Sequence, residues 1–203
     1  MAMRNEQEVI YMANILKETV RGIDCVRIED ELLSGREIFL TEEVNAATSN
    51  ELLKQLMYLD RNSAGEEITL YINSPGGDVI SGLAVYDFIR LMKSPVKTVC
   101  TGTAASMGAI LFLAGNVRQM LPHSRVMIHD PSYGRNDIGG RKPHEIQREL
   151  DSLNKTKQIL AEIIAERTGK DIEEVCKVTA EDSYFYAEEA IEFGLATNIL
   201  KGE

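Results

Sequence analysis

Residues Thr101–Pro131 read TGTAASMGAILFLAGNVRQMLPHSRVMIHDP, and the fold turns on how this stretch is parsed. A run of small residues, Gly102 to Ala105, ends in a serine, Ser106. Met107, Gly108 and an apolar segment from Ala109 to Ala114 follow, and a β-rich piece, Arg125 to Ile128, ends on His129. The pattern predicts a strand, a tight bend of small residues, a buried helix beginning at Ser106, and a strand that delivers an imidazole. A serine at the first turn of a buried helix has unpaired backbone N–H groups and the positive end of the helix dipole beside it. That position suits attack on a carbonyl and retention of the resulting oxyanion. Serine is also a preferred helix N-cap, and a histidine ending a strand commonly packs or hydrogen-bonds, so neither residue decides the matter by itself. The Gly-x-Ser-x-Gly spacing of a nucleophile elbow is absent around Ser106.

Working outward, strands and helices alternate. Glu37 to Thr41 (EIFLT) and Ile68 to Ile72 (ITLYI) read as strands, separated by a helix over Asn45–Leu59 with Leu52, Leu53, Leu56, Met57 and Leu59 on or near one face. Asn73-Ser74-Pro75-Gly76-Gly77-Asp78 then joins the second strand to a helix over Val79–Met92. Paired glycines at a strand–helix joint let backbone approach closely whatever lies above it, although a plain tight turn would use the same residues. Pro95 punctuates, and Val96 to Cys100 is a third strand running into the serine segment. This alternation argues an α/β fold with a largely parallel sheet.

The flanks are plainer. Asn5 to Val20 shows helical spacing, with Val9, Ile10, Met12, Ala13 and Leu16 apolar. Ser132 to Lys142 holds Gly134, Gly139 and Gly140 and reads as an exposed loop. Pro143 opens a long helix to Thr168, with Gly169 as its stop and apolar positions that thicken toward its C-terminal half. Helices are expected over Ile172–Lys177 and Ala187–Phe193, and Leu195 to Leu200 closes the chain. His123 sits in a turn and His144 in the first turn of the long helix, so both read as surface residues.

Composition narrows the function classes. The chain has 203 residues, enough for one domain over 1–203 with a real core. A net charge of −10 argues against nucleic acid as a partner, since phosphate binding wants a basic surface. Cys25, Cys100 and Cys176 are widely spaced and odd in number, which makes metal or disulfide roles unexpected and a reducing compartment the default. The N-terminus carries Arg4, Glu6 and Glu8 without a long apolar core, and the longest apolar run, Ala109 to Gly115, is far too short to span a bilayer. A soluble, cytoplasmic protein with no membrane partner is the expectation.

With these pieces in place, the sequence resembles the proteolytic subunits of Clp proteases, the ClpP family. Four motifs carry the likeness in register: YINSPGGDVISGLAVYD (Tyr71–Asp87), GTAASMGA (Gly102–Ala109), LPHSRVMIHDP (Leu121–Pro131) and EDSYFYAEEAIEFGL (Glu181–Leu195). The resemblance implies a stacked ββα superhelix of the ClpP/crotonase type, with a protruding handle over about 132–168 and an N-terminal axial segment over 1–31. It puts the catalytic serine on Ser106, the histidine on His129 and the aspartate on Asp182, with backbone N–H donors of an oxyanion hole on Gly77 and Met107. Substrate-binding positions fall on Gly76, Asp78, Val79 and Pro131, where an extended chain would pair with strand edges. It implies no metal or cofactor. As partners it implies unfolded polypeptides, a hexameric AAA+ Clp unfoldase such as the ClpX, ClpA or ClpC type, and a tetradecamer of two stacked heptameric rings.

The sequence departs from that pattern in three places. Asp130-Pro131 and a longer loop stand where the family commonly has Gln-Pro and a Gly-rich strand. Glu181 stands where an arginine often precedes the aspartate, and Met1 to Glu31 matches the axial segment poorly. Two alternatives to a self-sufficient serine endopeptidase follow. One is a weakly active or structural paralogue subunit that needs a second ClpP in a hetero-oligomer. The other is a crotonase-type acyl-CoA enzyme, whose fold is related but which needs no Ser–His–Asp set.

Overall fold

The computed structural model describes residues 14–20, 22–132 and 142–202. It opens with β1 (Asn14–Thr19) and β2 (Gly22–Arg27), an antiparallel ribbon in which Ile15 faces Val26 and Leu16 faces Cys25. This corrects the helix expected over Asn5–Val20 wherever the segment is described; residues 5–13 lie outside the described residues. The helical spacing that ran through Leu16 loses to the second segment, whose Ile23 and Val26 are β-branched and whose backbone pairs all along the ribbon. The ribbon does not bury its apolar side chains, since Leu16 is 71% and Ile23 68% exposed.

A short helix, α1 (Ile28–Ser34), leads to β3 (Glu37–Leu40) and then α2 (Ala46–Asn62). Asn45 caps α2, its side chain accepting from the N–H groups of Ala47 and Thr48 while Thr48 reaches back to the Asn45 N–H. Next come β4 (Ile68–Ser74), α3 (Val79–Leu91), β5 (Val96–Ala105), α4 (Met107–Ala114), β6 (Val117–Met120) and β7 (Arg125–Ile128). The chain finishes with α5 (Pro143–Thr168), α6 (Ile172–Thr179), β8 (Ser183–Tyr186), α7 (Ala187–Phe193) and β9 (Asn198–Ile199).

The main sheet runs β3-β4-β5-β6-β9 with every neighbour parallel, as the alternation of strands and helices predicts. β5 is the hinge of the architecture. Its first half pairs with β6 (Lys97↔Val117 to Cys100↔Met120), and its second half with β7 (Thr103↔Arg125 to Ala105↔Met127). The bend expected over Gly102–Ala105 is therefore not there. Those small residues continue the strand, because their backbone groups find partners in β7, and the reversal is compressed into Ser106 alone. Among the described residues, the single antiparallel pairing of this sheet joins β7 to β8, a strand the apolar pattern does not announce.

All eight residues of α4 are buried, with Leu111, Phe112 and Leu113 fully so. Burying each such side chain contributes about 1.5–3 kcal/mol, which makes α4 the helix around which the core closes. The C-termini around it are gathered by Arg118, only 9% exposed, whose guanidinium donates to the carbonyls of Leu195, Gly194, Gly115 and Arg167. Burial pushes that guanidinium down to about 10. α5 follows its predicted span from Pro143 to Thr168, and its buried residues are Leu160, Ala161 and Ile164, all in its C-terminal half. The expected loop over Ser132–Lys142 falls largely on residues 133–141, which lie outside the described residues. Among the described residues, no helix is long and apolar enough to cross a membrane.

Candidate active site

The carboxyl ends of β4, β5 and β7 converge, and each delivers one part of the site, the usual location for ligands in a parallel α/β sheet. From β5 comes Ser106, held at φ 53° and ψ −121°, a backbone conformation rarely adopted by a residue with a side chain. Its amide donates to Met127 O at 2.9 Å, which fixes the reversal against β7. A serine at a helix start ordinarily caps it, yet Ser106 makes no side-chain cap bond to α4. Its Oγ lies 2.9 Å from His129 Nε2 instead. The strained strand-to-helix reversal of a nucleophile elbow is thus present without the Gly-x-Ser-x-Gly spacing that would have signalled it.

His129 follows the last residue of β7, and β8 supplies its second neighbour. The antiparallel register sets Ile128 opposite Ser183, so the next residues outward are His129 and Asp182. His129 Nδ1 and Asp182 Oδ1 are 3.6 Å apart, and the Asp182 side chain is 64% exposed. That separation exceeds a hydrogen bond, so the carboxylate stands beside the imidazole without gripping it. Neighbouring Glu181 is exposed. Residue spacing by itself gives no reason to bring Asp182 here, and only the family resemblance pointed to it; the β7–β8 register supplies the physical reason.

From β4 comes the Gly-Gly joint. Gly76 has φ 90°, and a Cβ there would lie 2.5 Å from Ala105 O and 2.7 Å from Ser106 Cβ, so only glycine lets this turn lie against the serine. Gly77, at φ 148°, is wedged against Val44, whose carbonyl would be 2.2 Å from an added Cβ. Val44 clasps the turn by donating to Gly76 O and accepting from the Asp78 N–H. Neither the Gly77 nor the Met107 N–H donates to an acceptor among the described residues. Unengaged backbone amides near a serine oxygen are the kind of donor that an oxyanion requires.

The remaining sequence-predicted positions divide. Val79 and Pro131 line a cleft beside Ser106 and His129, together with Met107, Ile110, Ile128, Leu160 and Ile164. Asp78 is turned away to cap α3, accepting from the Ser81 N–H at 2.8 Å, and its hydrogen bonding to Ser81 holds its carboxyl below the usual carboxylate range. Gly76 serves as backbone only. The apolar wall went unpredicted, although Leu160 and Ile164 stand at helical i, i+4 spacing and Ile110 follows Ser106 by four residues. His123 and His144 are exposed and stand apart from the site's residues, as expected.

A serine oxygen bonded to an imidazole, a carboxylate beyond the imidazole, two free amides and an adjoining apolar cleft can together carry acyl transfer by a serine hydrolase. The sequence model of the Clp protease family, described as Clp protease, matches residues 20–203. The chain belongs to the Clp protease family, and with it to a peptidase class that associates with Clp unfoldases and forms oligomeric rings.

Proposed function

We propose that this protein is a serine endopeptidase of the Clp type, hydrolysing unfolded polypeptides by an acyl-enzyme mechanism. Ser106 is the nucleophile, His129 takes its proton and returns it to the leaving amine, and Asp182 orients the imidazole and stabilises the imidazolium. The N–H groups of Gly77 and Met107 receive the oxyanion of the tetrahedral intermediate. The observation that carries this reading is the Ser106 side chain, which forgoes its helix cap for a 2.9 Å contact with His129. A substrate residue would place an apolar side chain against Ile110, Ile128, Leu160 and Ile164, while its extended backbone runs past Gly76, Gly77 and Pro131.

The working form in this reading is cytoplasmic, two stacked heptameric rings fed by an AAA+ Clp unfoldase. A second reading, a subunit that is weakly active until a partner subunit completes it, is favoured by the exposed Asp182 standing 3.6 Å from the imidazole. Labelling with a fluorophosphonate probe, read by intact mass alongside native sizing, tests both. One adduct that disappears in Ser106→Ala supports the hydrolase. No adduct on a fully assembled ring overturns it in favour of a partner-dependent or structural subunit. The acyl-CoA alternative calls for a coenzyme A thermal shift, and none is expected.

A further inference from the structure

Asp130 directly follows His129, and its amide and both carboxylate oxygens are engaged away from the imidazole. The Asp130 N–H donates to Thr179 O at 2.6 Å, and Oδ1 accepts from Thr179 Oγ1 at 2.8 Å. Oδ2 accepts from Lys157 Nζ, a charge-assisted bond that raises the Lys157 pKa. These bonds join the end of β7 to the middle of α5 and to the last residue of α6. Thr179 is 3% exposed and lies three residues before Asp182. One clasp therefore fixes the backbone on both sides of the gap between His129 and Asp182. Among the described residues, the titratable groups at this corner are Asp130 itself, Lys157 from α5, Cys176 from α6, which acts on Lys157, and Asp182 and Glu181 ahead of β8.

We propose that Asp130 is a positioning residue: clasped to Lys157 and Thr179, it holds the imidazole of His129 in line between Ser106 and Asp182, and Lys157 cancels the charge that Asp130 would otherwise impose on that imidazole. This deepens, and rests on, the reading of Ser106 and His129 as the reactive pair. Removing the side chain frees the end of β7, while removing only Lys157 leaves a carboxylate without its counter-ion next to His129. The two changes therefore act differently. The first disturbs geometry, and the second stabilises the imidazolium.

The test compares the full-length protein with D130A, K157M and D130N/K157M. Fluorophosphonate labelling rate against pH reads the reactive pair. Peptide-resolved diethylpyrocarbonate modification reads the His129 titration at any state of assembly, and thermal unfolding monitors the fold. Loosening a reacting group costs about tenfold to a hundredfold, so D130A should slow labelling by that much. K157M should raise the His129 midpoint by about 0.5 pH unit, the size expected for one uncompensated charge at the protein surface. D130N/K157M should return that midpoint to the wild-type value, which a merely structural role would not do. Wild-type rates and midpoints in D130A and K157M overturn the proposal, as does a loss of labelling that tracks thermal stability alone with the midpoint unmoved. If the wild type resists the probe while the His129 midpoint moves as described, the positioning role stands and the serine hydrolase reading is the one that fails.

Discussion

Ser106 and His129 lie 2.9 Å apart and end neighbouring parallel strands of the central sheet, whereas His129 and Asp182 lie 3.6 Å apart, with Asp182 preceding an edge strand and 64% exposed. The inner edge of the constellation rests on β5, β7 and the wholly buried α4, so its geometry is set by core packing. The outer edge depends on one short antiparallel pairing of β7 with β8, and the β8 side chains alternate between half-buried and exposed. The serine and the imidazole meet on elements built into the core. The carboxylate beside the imidazole sits on the surface, where, in the proposed reading, a neighbouring subunit or partner can act on it.

The comparison breaks most severely at Gly76. Gly76→Ala would drive a Cβ to 2.5 Å from Ala105 O and 2.7 Å from Ser106 Cβ at a φ that disfavours side chains. Probe labelling should fall by at least about a hundredfold, since displacement of a reacting group by an ångström costs that much. Arg118→Met is expected to cost about 2–4 kcal/mol in urea unfolding, because the buried Leu195 carbonyl and the part-buried Arg167 and Gly194 carbonyls lose this donor together. Asp182→Asn sharpens the contrast from the other side. In a tightly closed triad the loss is about 10⁴, but with an exposed carboxylate 3.6 Å away the labelling rate should drop by only about tenfold or less. A loss approaching the full value would show that the gap closes in the reacting assembly.

The smallest effect is expected at Asp78, on the inner side but turned outward to cap α3. Asp78→Ala should cost about 1 kcal/mol at neutral pH, the usual value of an N-cap. Its folded-state pKa is depressed by Ser81, so the carboxylate stabilises the fold above the ordinary titration range and that contribution disappears as pH falls through the lowered value. Wild type and variant should therefore converge in acid, well below about pH 4, when unfolding is followed against pH.

The sequence was most legible where one local rule operated alone. Alternating strands and helices gave the parallel sheet, and Pro143 and Gly169 bounded α5. The apolar run after Ser106 gave the buried helix. It was least legible where a partner distant in the chain chose between local options. Residues 14–19 fall in a segment read as helical, yet pairing with β2 makes them a strand. Small residues from Gly102 to Ala105 look like a turn, yet β7 keeps them extended and concentrates the turn in Ser106. The Asp130 clasp had no local signal, because Lys157 and Thr179 lie 27 and 49 residues away.

By itself, then, the sequence determined which chemistry was on offer: a serine ahead of a buried helix, a histidine closing a strand, paired glycines at a strand–helix joint, and four motifs that carry a family likeness. Those are local properties of residue type and spacing, which the chain displays before it folds. The tertiary structure decided how the groups meet. It turned Ser106 out of its capping role, brought Asp182 alongside His129 through the β7–β8 register, left that outer edge open to solvent, and lined the cleft with Ile110, Leu160 and Ile164. Each of those outcomes depends on contacts between segments far apart in the chain, and local sequence carries no record of which distant segment will supply the partner.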